Sequence, residues 1–432
     1  MPRAMKDSGI KWIGFIPAEW KIHQIKNDFQ IFSGATPKSE VVENWDGDIV
    51  WITPADYKTA DKYVSQGKRN ISKVGYNSCG TTFVPSGSII FSKRAPIGTV
   101  AITAAELCTN QGCLSCVPKA DTSSSYYYYV LSAFTEQFNL FGTGTTFKEI
   151  SYNDFRSFKV PVPPLDEQQR IADYLDGECA RIDSIVEKTH ASIVEYKKLK
   201  QALITRAVTK GIRPARPMKD SGIEWIGDVP TNWEIIKLKY LFSIIGGNGF
   251  TDILQGNTTG DYPFCKVSDI NGEADYVDTA FNWVSQSVVD DNRFNVIPIG
   301  SIIMAKIGAA LAKNHRKINT VRCCIDNNTQ ALVPKRKDDI CYLLYLSKCI
   351  DMSWFDNNST VPSINNPKLL NFFVPSPPLD EQQRIASFLD DKCARIDSVI
   401  EKKGRLVTEL ERLKKSLIFE YVTGKKEAPE KA

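Results

Sequence analysis

The sequence predicts an α+β fold: two mixed α/β domains separated by a pair of long antiparallel coiled-coil helices, arranged as a pseudo-twofold internal repeat. Three observations carry that expectation. The ten residues PPLDEQQRIA occur at Pro163–Ala172 and again at Pro377–Ala386. The leader MKDSGIKWIGFIPAEWKIHQIK (Met5–Lys26) returns as MKDSGIEWIGDVPTNWEIIKLK (Met218–Lys239) at nearly the same offset. Behind each decapeptide runs an apolar stripe at helical spacing, uninterrupted by proline. A period near half the chain length points to duplication of a whole unit, and a fused tandem duplication gives a near-twofold frame.

The elements follow in the same order in each half. After the leader comes a block in which identity nearly vanishes, Ile22–Phe158 in the first half and Ile235–Phe373 in the second. Short landmarks survive: Gly87–Arg94 matches Gly300–Lys306, Asp48–Asp56 echoes Asp261–Asp269, and Val117–Lys119 echoes Val333–Lys335. These β-branched and aromatic runs, bounded by Gly, Pro, Asn and Asp, predict strands in a loop-rich mixed domain. Each half keeps a scaffold and varies what is mounted on it, as a recognition surface would.

The repeated block predicts a helix. Asp166 is expected as N-cap with Gln169 at N3, and Asp380 with Gln383 likewise, while Glu167 sits where the helix dipole favours negative charge. The first stripe is Ile171, Leu175, Ile182, Val186, Ile193, Tyr196, Leu199 and Leu203. The second is Ile385, Leu389, Ile396, Ile400, Val407, Leu410, Leu413 and Leu417. A helix of about 40 residues would be about 60 Å long. One apolar stripe cannot stay exposed, so the two copies are expected to pair along it, chiefly through Ile171, Leu175, Ile182, Val186, Ile385, Leu389, Ile396 and Ile400. The Pro/Arg linker Gly211–Pro217 feeds the second leader, and because a whole globular block follows before the second helix starts, an antiparallel pair is natural. The expected division is 1–160, leader and first variable domain; 161–213, first helical region and linker; 214–374, second leader and variable domain; 375–424, second helical region; and 425–432, a flexible tail.

Composition excludes some classes. A net charge of +4 and a pI near 8.3 permit nucleic-acid binding without demanding it. No stretch suggests a secretory signal or approaches the roughly 18–20 apolar residues of a membrane span. Eleven scattered cysteines fit reduced thiols in a cytoplasmic protein. Cys113 and Cys116 form a CxxC, but a zinc site needs a second ligand pair, so burial on a strand is the competing expectation.

The repeated motifs resemble one known family. D-S-G-I-x-W-I-G-x-x-P-x-x-W at Asp7–Trp20 and Asp220–Trp233 carries the likeness, with P-x-P-P-L-x-E-Q-x-x-I-x-x-x-L-D at Pro161–Asp176 and Pro375–Asp390. A-R-I-D-x-x-x-E-K follows at Ala180–Lys188 and Ala394–Lys402. These look like the specificity subunit of type I restriction–modification systems, over nearly the whole chain. The resemblance implies two target recognition domains, each reading one half of a split, asymmetric double-stranded DNA target, with the helices setting the unread spacer. It implies docking of two methyltransferase subunits and joining by restriction/translocase subunits. It further implies no cofactor on this chain, with S-adenosylmethionine, ATP and Mg on the partners.

The residues themselves offer no catalytic constellation. Gly142–Lys148 is Gly-rich but lacks P-loop spacing. The Pro-Pro-Leu runs lack the Asn/Asp and aromatic that flank a methyltransferase base-binding motif. His23, His190 and His315 are far apart, and the pairs Asp290-Asp291, Asp338-Asp339 and Asp390-Asp391 read as solvated faces or turns more readily than metal sites. A fused methyltransferase–specificity protein and a non-enzymatic DNA-binding repressor or scaffold are the alternatives to a non-catalytic targeting subunit.

Candidate DNA contacts come from the variable blocks, because base and phosphate contacts want Arg, Lys, Asn, Gln, Ser and Thr on loops. In the first block these are Ser33, Thr36, Lys38, Lys93, Arg94, Asn110, Gln111, Thr145, Thr146 and Lys148. In the second they are Asn248, Thr251, Lys306, Asn328, Gln330, Ser359, Thr360 and Asn365. Lys197, Lys198, Lys200, Arg206 and Lys210 are either phosphate contacts or an exposed helical face.

Overall fold

The computed structural model describes residues 3–58, 61–94, 96–144, 148–272, 274–357 and 361–430. They form two compact units, Met1–His190 with Arg405–Ala432, and Ala191–Gly404. The division falls within the two long helices, Leu165–Lys210 (46 residues) and Leu379–Val422 (44 residues). Each unit therefore contains the first half of one long helix and the second half of the other.

In the first unit the leader folds as an antiparallel hairpin, Met5–Asp7 with Phe15–Pro17. Strand Lys21–Gln24 then pairs antiparallel with Lys159–Val162, so the globular block enters and leaves through one two-stranded neck. Inside it, a five-stranded sheet runs in the order Phe29–Ser33, Cys113–Pro118, Ile89–Ser92, Val100–Thr103, Tyr63–Val64. A three-stranded sheet runs Cys108–Thr109, Trp45–Ile52, Arg69–Ile71. The pairing is mixed: Cys108–Thr109 lies parallel to Trp51–Ile52 and Tyr63–Val64 parallel to Ile102–Thr103, while Arg69–Ile71 runs antiparallel to Trp45–Ile52.

The second unit repeats this plan on other residues. Its leader hairpin is Met218–Asp220 with Asp228–Pro230, and its neck is Glu234–Lys237 with Phe373–Ser376. The five-stranded sheet runs Phe242–Gly246, Thr329–Pro334, Ile302–Ala305, Arg316–Asn319, Tyr276–Val277. The three-stranded sheet is Cys324–Ile325, Tyr262–Cys265, Asn282–Val284. Two blocks of nearly unrelated sequence thus share one topology, because alternating buried positions specify strands without specifying side chains.

The helix starts correct the expected caps. Gln168 N–H donates to Pro164 O at 2.9 Å and Gln382 N–H to Pro378 O at 3.0 Å, so the prolines occupy the cap position. Asp166 and Asp380 lie inside the first turn, where they pair with Arg170 and Arg384 four residues on. Gln169 donates to Asp173 at 2.7 Å rather than reaching back. Glu167 lies in the first turn as expected and is in addition a buried acceptor, described below.

Helix pairing is antiparallel within each unit. In the first, Tyr174 stacks near Tyr421 with ring centroids 4.7 Å apart, and Asp183 bonds Lys414 at 2.6 Å. In the second, Lys200 bonds Asp397 at 2.6 Å, while Ile204, Ala207 and Val208 share a core with Ile385, Leu389 and Cys393. Ile171, Leu175, Ile182, Ile385 and Leu389 are buried; Val186, Ile396 and Ile400 are half-buried. Leu199 and Leu413 depart from the expected stripe, at 54% and 53% exposure. Each helix changes its packing partner midway, from its own globular domain to the start of the other helix, so the buried face rotates away from a strict repeat. Lys414→Ala and Lys200→Ala are each expected to destabilise the protein by about 0.2–1 kcal/mol, with the loss shrinking at high salt. Urea unfolding at two salt concentrations reads both effects.

The 425–430 stretch, expected to be a flexible tail, makes defined contacts. Lys425 and Lys426 N–H donate to Glu420 O, and Ala428 is buried in the core of the first unit. Among the described residues, no helix is long and apolar enough to cross a membrane.

Candidate nucleic-acid interface

In the first unit, strand pairing brings four of the expected stretches to one end of the five-stranded sheet. Ser33 pairs with Leu114 and Ser92 with Cys113, so the loops after Ser33, after Ser92 and before Cys113 emerge together. Backbone bonds lock them: Ala35 N–H to Thr109 O at 3.0 Å, Lys93 N–H to Gly112 O at 2.9 Å, and Ile150 N–H to Lys93 O at 3.0 Å. The first crossing demands glycine, since a Cβ on Gly34 would lie 2.2 Å from the Asn110 carbonyl oxygen. Gly247 is the counterpart in the second unit, with the Asp326 carbonyl 1.8 Å away.

Side chains at this end divide by what already holds them. Thr36 donates to the Gln111 amide oxygen, tying two loops together while both residues stay exposed. Asn110 uses its amide oxygen to accept Gly112 N–H at 2.9 Å, a turn-forming role. Lys93 and Arg94 share one carboxylate, Glu149, at 2.8 and 3.5 Å. Two cations against one acid leave the pair net positive, and a phosphate could compete for either. Lys38 and Lys148 are exposed. Thr145 and Thr146 lie outside the described residues.

The second unit builds the same end differently. Asn248 N–H donates to Ile325 O at 2.9 Å, and its side-chain oxygen accepts Asn295 N–H at 2.8 Å. Lys306 N–H donates to Asn328 O at 2.8 Å, placing the half-buried lysine beside an exposed Asn328. Thr251 is exposed at the head of a short 3-10 turn. Two residues are corrected. Asn365 caps the helix Asn366–Leu370, accepting Lys368 N–H at 3.0 Å, so its oxygen is used. Gln330 is fully buried on a central strand, where it pairs with Gly246 and Met304, and cannot reach a base. Ser359 and Thr360 lie outside the described residues.

Gln330 occupies the position that Leu114 holds in the first unit, and neither end of its amide has a partner among the described residues. An unsatisfied buried amide costs about 1–3 kcal/mol. Gln330→Leu is therefore expected to stabilise the protein by about 1 kcal/mol or more, read as a higher urea midpoint, while the DNA target stays unchanged.

Sequence reasoning missed the loop after the three-stranded sheet. Asn110 N–H donates to Ile52 O, which brings Thr53–Lys58 to the same end. There Asp56 accepts Thr53 N–H and hydroxyl, both at 2.7 Å, and leaves Lys58 exposed. In the second unit Lys266 stands where Thr53 does, donating its N–H to Asp269 at 2.8 Å and its ammonium to Gln255 at 2.6 Å near Asp326, whose carboxyl burial pushes above the usual range. The parallel strand pair was the missing signal, because parallel pairing joins residues that no local pattern links.

The remaining candidates serve the frame. Cys113 and Cys116 point into different cores on opposite faces of one strand, so they do not form a ligand pair, and burial pushes the Cys113 thiol up to about 12. Lys200 pairs across the helices and Lys198 with Glu195, while Arg206 and Lys210 stay exposed. Asp338 accepts from Gln382, Asp339 caps the helix Ile340–Lys348, and Asp390 accepts from Tyr345. Among the described residues, no group of three or more His, Cys, Asp or Glu is placed to hold a metal ion.

Two units with one topology, one helix-mounted frame and differently furnished loops at the same sheet end define a duplicated recognition protein. The chain belongs to the type I restriction modification DNA specificity domain family, whose pattern matches residues 17–193 and 230–407. It is 24% identical over 424 residues to the type I restriction enzyme MjaIX specificity subunit of Methanocaldococcus jannaschii, covering 95% of this chain and 94% of that one. The EcoBI specificity subunit of Escherichia coli is 21% identical over 365 residues, covering 79% and 75%. Among solved structures, a chain from a type I R-M system matches with a TM-score of 0.75 at 17% identity, covering 95% of this chain and 99% of that one. The HsdS subunit from Thermoanaerobacter tengcongensis matches with a TM-score of 0.55 at 18% identity, covering 97% and 100%.

Proposed function

We propose that this chain is the DNA sequence-specificity subunit of a type I restriction–modification enzyme, and that each recognition domain reads one half of a split, asymmetric target. The observation that carries this reading is the contrast between frame and loops. The neck strands, sheet order and helix starts repeat, while the sheet-end loops carry Thr36, Lys93, Arg94 and Gln111 in one unit and Asn248, Thr251, Lys306 and Asn328 in the other. Exposed hydroxyl, amide and ammonium groups on rigidly crossed loops suit base edges and phosphates. A repeated frame suits two identical partners, and unlike loops suit an asymmetric site.

In this reading the chain is non-catalytic and cytoplasmic. Two methyltransferase subunits dock on the helical frame, restriction/translocase subunits join them, and S-adenosylmethionine, ATP and Mg act on those partners. Co-expression with the methyltransferase subunit, followed by long-read mapping of modified adenines, tests it. The expected result is a bipartite, asymmetric motif with a constant gap. A contiguous or palindromic motif, or methylation by this chain alone, would overturn it.

A further inference from the structure

The first turns of each long helix carry three polar attachments to their own globular domain, and both units repeat all three. The first joins helix to leader. Glu167, 4% exposed, accepts from the indole N–H of fully buried Trp20 at 2.9 Å and from both terminal nitrogens of Arg3 at 2.6 and 2.8 Å. Glu381 accepts from Trp233 at 2.8 Å and from Arg216. The second joins helix to the loop before the domain's own helix. Gln168, 1% exposed, accepts Ser123 N–H at 3.0 Å and donates to Pro163 O at 3.0 Å. Gln382 accepts Asp339 N–H at 2.9 Å and donates to Asp338 and Pro377 O. The third lies over two turns further along: Asp176 accepts from Tyr129 and Lys62, and Asp390 from Tyr345 at 2.7 Å.

Adhesion alone does not require them. Ile171, Ala172 and Leu175 already bury against the domain core in the first unit, as Ile385, Ala386 and Leu389 do in the second. Apolar packing is non-directional, whereas hydrogen bonds of fixed geometry select one azimuth. Attachments nine residues apart act about 14 Å apart along the helix, so they resist tilting as well as rotation.

We infer that Glu167, Gln168 and Asp176, with Glu381, Gln382 and Asp390, are positioning residues that set how strictly the protein rejects targets with the wrong spacer. The inference rests on the split-target reading above. Adding one base pair to a spacer moves the far half-site by about 3.4 Å and turns it by about 35°. A domain held by apolar contact alone can swing to follow; one pinned at two heights cannot. The pinning is uneven. Asp176 has two donors, whereas in the second unit Asp275 stands where Lys62 does in the first and pairs with Lys348. Arg3 also bonds Glu19, whereas Asn232 stands at the matching position and Arg216 Nε and Nη2 are buried without a hydrogen-bond partner among the described residues. The second domain is the more easily freed.

The test uses the full chain co-expressed with its methyltransferase partner, carrying Tyr345→Phe, Tyr129→Phe or both. Methylation is measured on a library holding wild-type half-sites with spacers from two base pairs shorter to two longer. Tyr345→Phe is expected to raise methylation at one-base-pair errors at least tenfold relative to the wild-type spacer. Tyr129→Phe should raise it less, because Lys62 still holds Asp176, and the half-site bases should not change. Asp390→Asn, which keeps the acceptor oxygen and size, serves where a tyrosine variant fails to fold and should give an intermediate profile. A lowered melting temperature with an unchanged spacer profile assigns the attachments to folding alone and overturns the inference. A wild-type chain with no split target overturns the functional reading first, and the inference falls with it.

Discussion

Replacing residues 25–158 with the matching block of another family member changes the bases of one half of the methylated target and leaves the other half and the spacer as they were. The neck makes this exchange clean. Gln24 faces Lys159 across the two-stranded sheet, and Ile25 N–H donates to Phe158 O at 3.1 Å, so both ends of the block leave side by side. A cut at Ile22, as the loss of sequence identity suggests, would sever that strand. Methylation of the old half-site should fall by about 10³-fold or more, the usual gap between specific and non-specific binding. Long-read methylome comparison of parent and chimera checks it. A change in both halves would contradict a modular design.

Lengthening both long helices by one turn at matched places changes the spacer and nothing else. The places are after His190 and after Gly404, where the compact units divide. Pairs within the units, Asp183 with Lys414 and Lys200 with Asp397, then keep their register. Four added residues extend each helix by about 6 Å, close to two base pairs, and turn it by about 40° beyond a full turn. The expected motif keeps both half-sites with a gap about two base pairs longer. Either insertion alone forces unequal helices into one pair and is expected to abolish methylation. An altered half-site at constant spacer would refute the role of the helices.

Much of the frame was legible because it is written twice. The leaders, the two long helices and the strand landmarks fall where repetition and alternation place them, while the caps sit two residues earlier than expected. The sheet order was not legible, since the parallel pairs Trp51 with Cys108 and Phe264 with Cys324 join segments that share no local pattern. The purpose of the decapeptide was half legible. Its helix was plain, but the buried bonds of Glu167 and Gln168 were not, because Trp20, Arg3 and Ser123, which converge on them, are remote in sequence. The same blindness covers Glu149, which tempers Lys93 and Arg94, and Gln330, a polar residue that the strand turns inward. Residue type announces what a side chain can bond, and only the fold decides whether it is already bonded.

The unit that holds the first recognition domain is closed by residues far downstream. Tyr421, Val422 and Ala428 enter its core, and Gly424 lies against Pro17 and Trp20. The second unit is one unbroken run, Ala191–Gly404. A ribosome therefore finishes every part of the second unit before it has supplied the last parts of the first. The domain made first stays incomplete until synthesis passes residue 428. A premature stop after Gly404 would spare the recognition domain nearest the break and cripple the one encoded farthest from it.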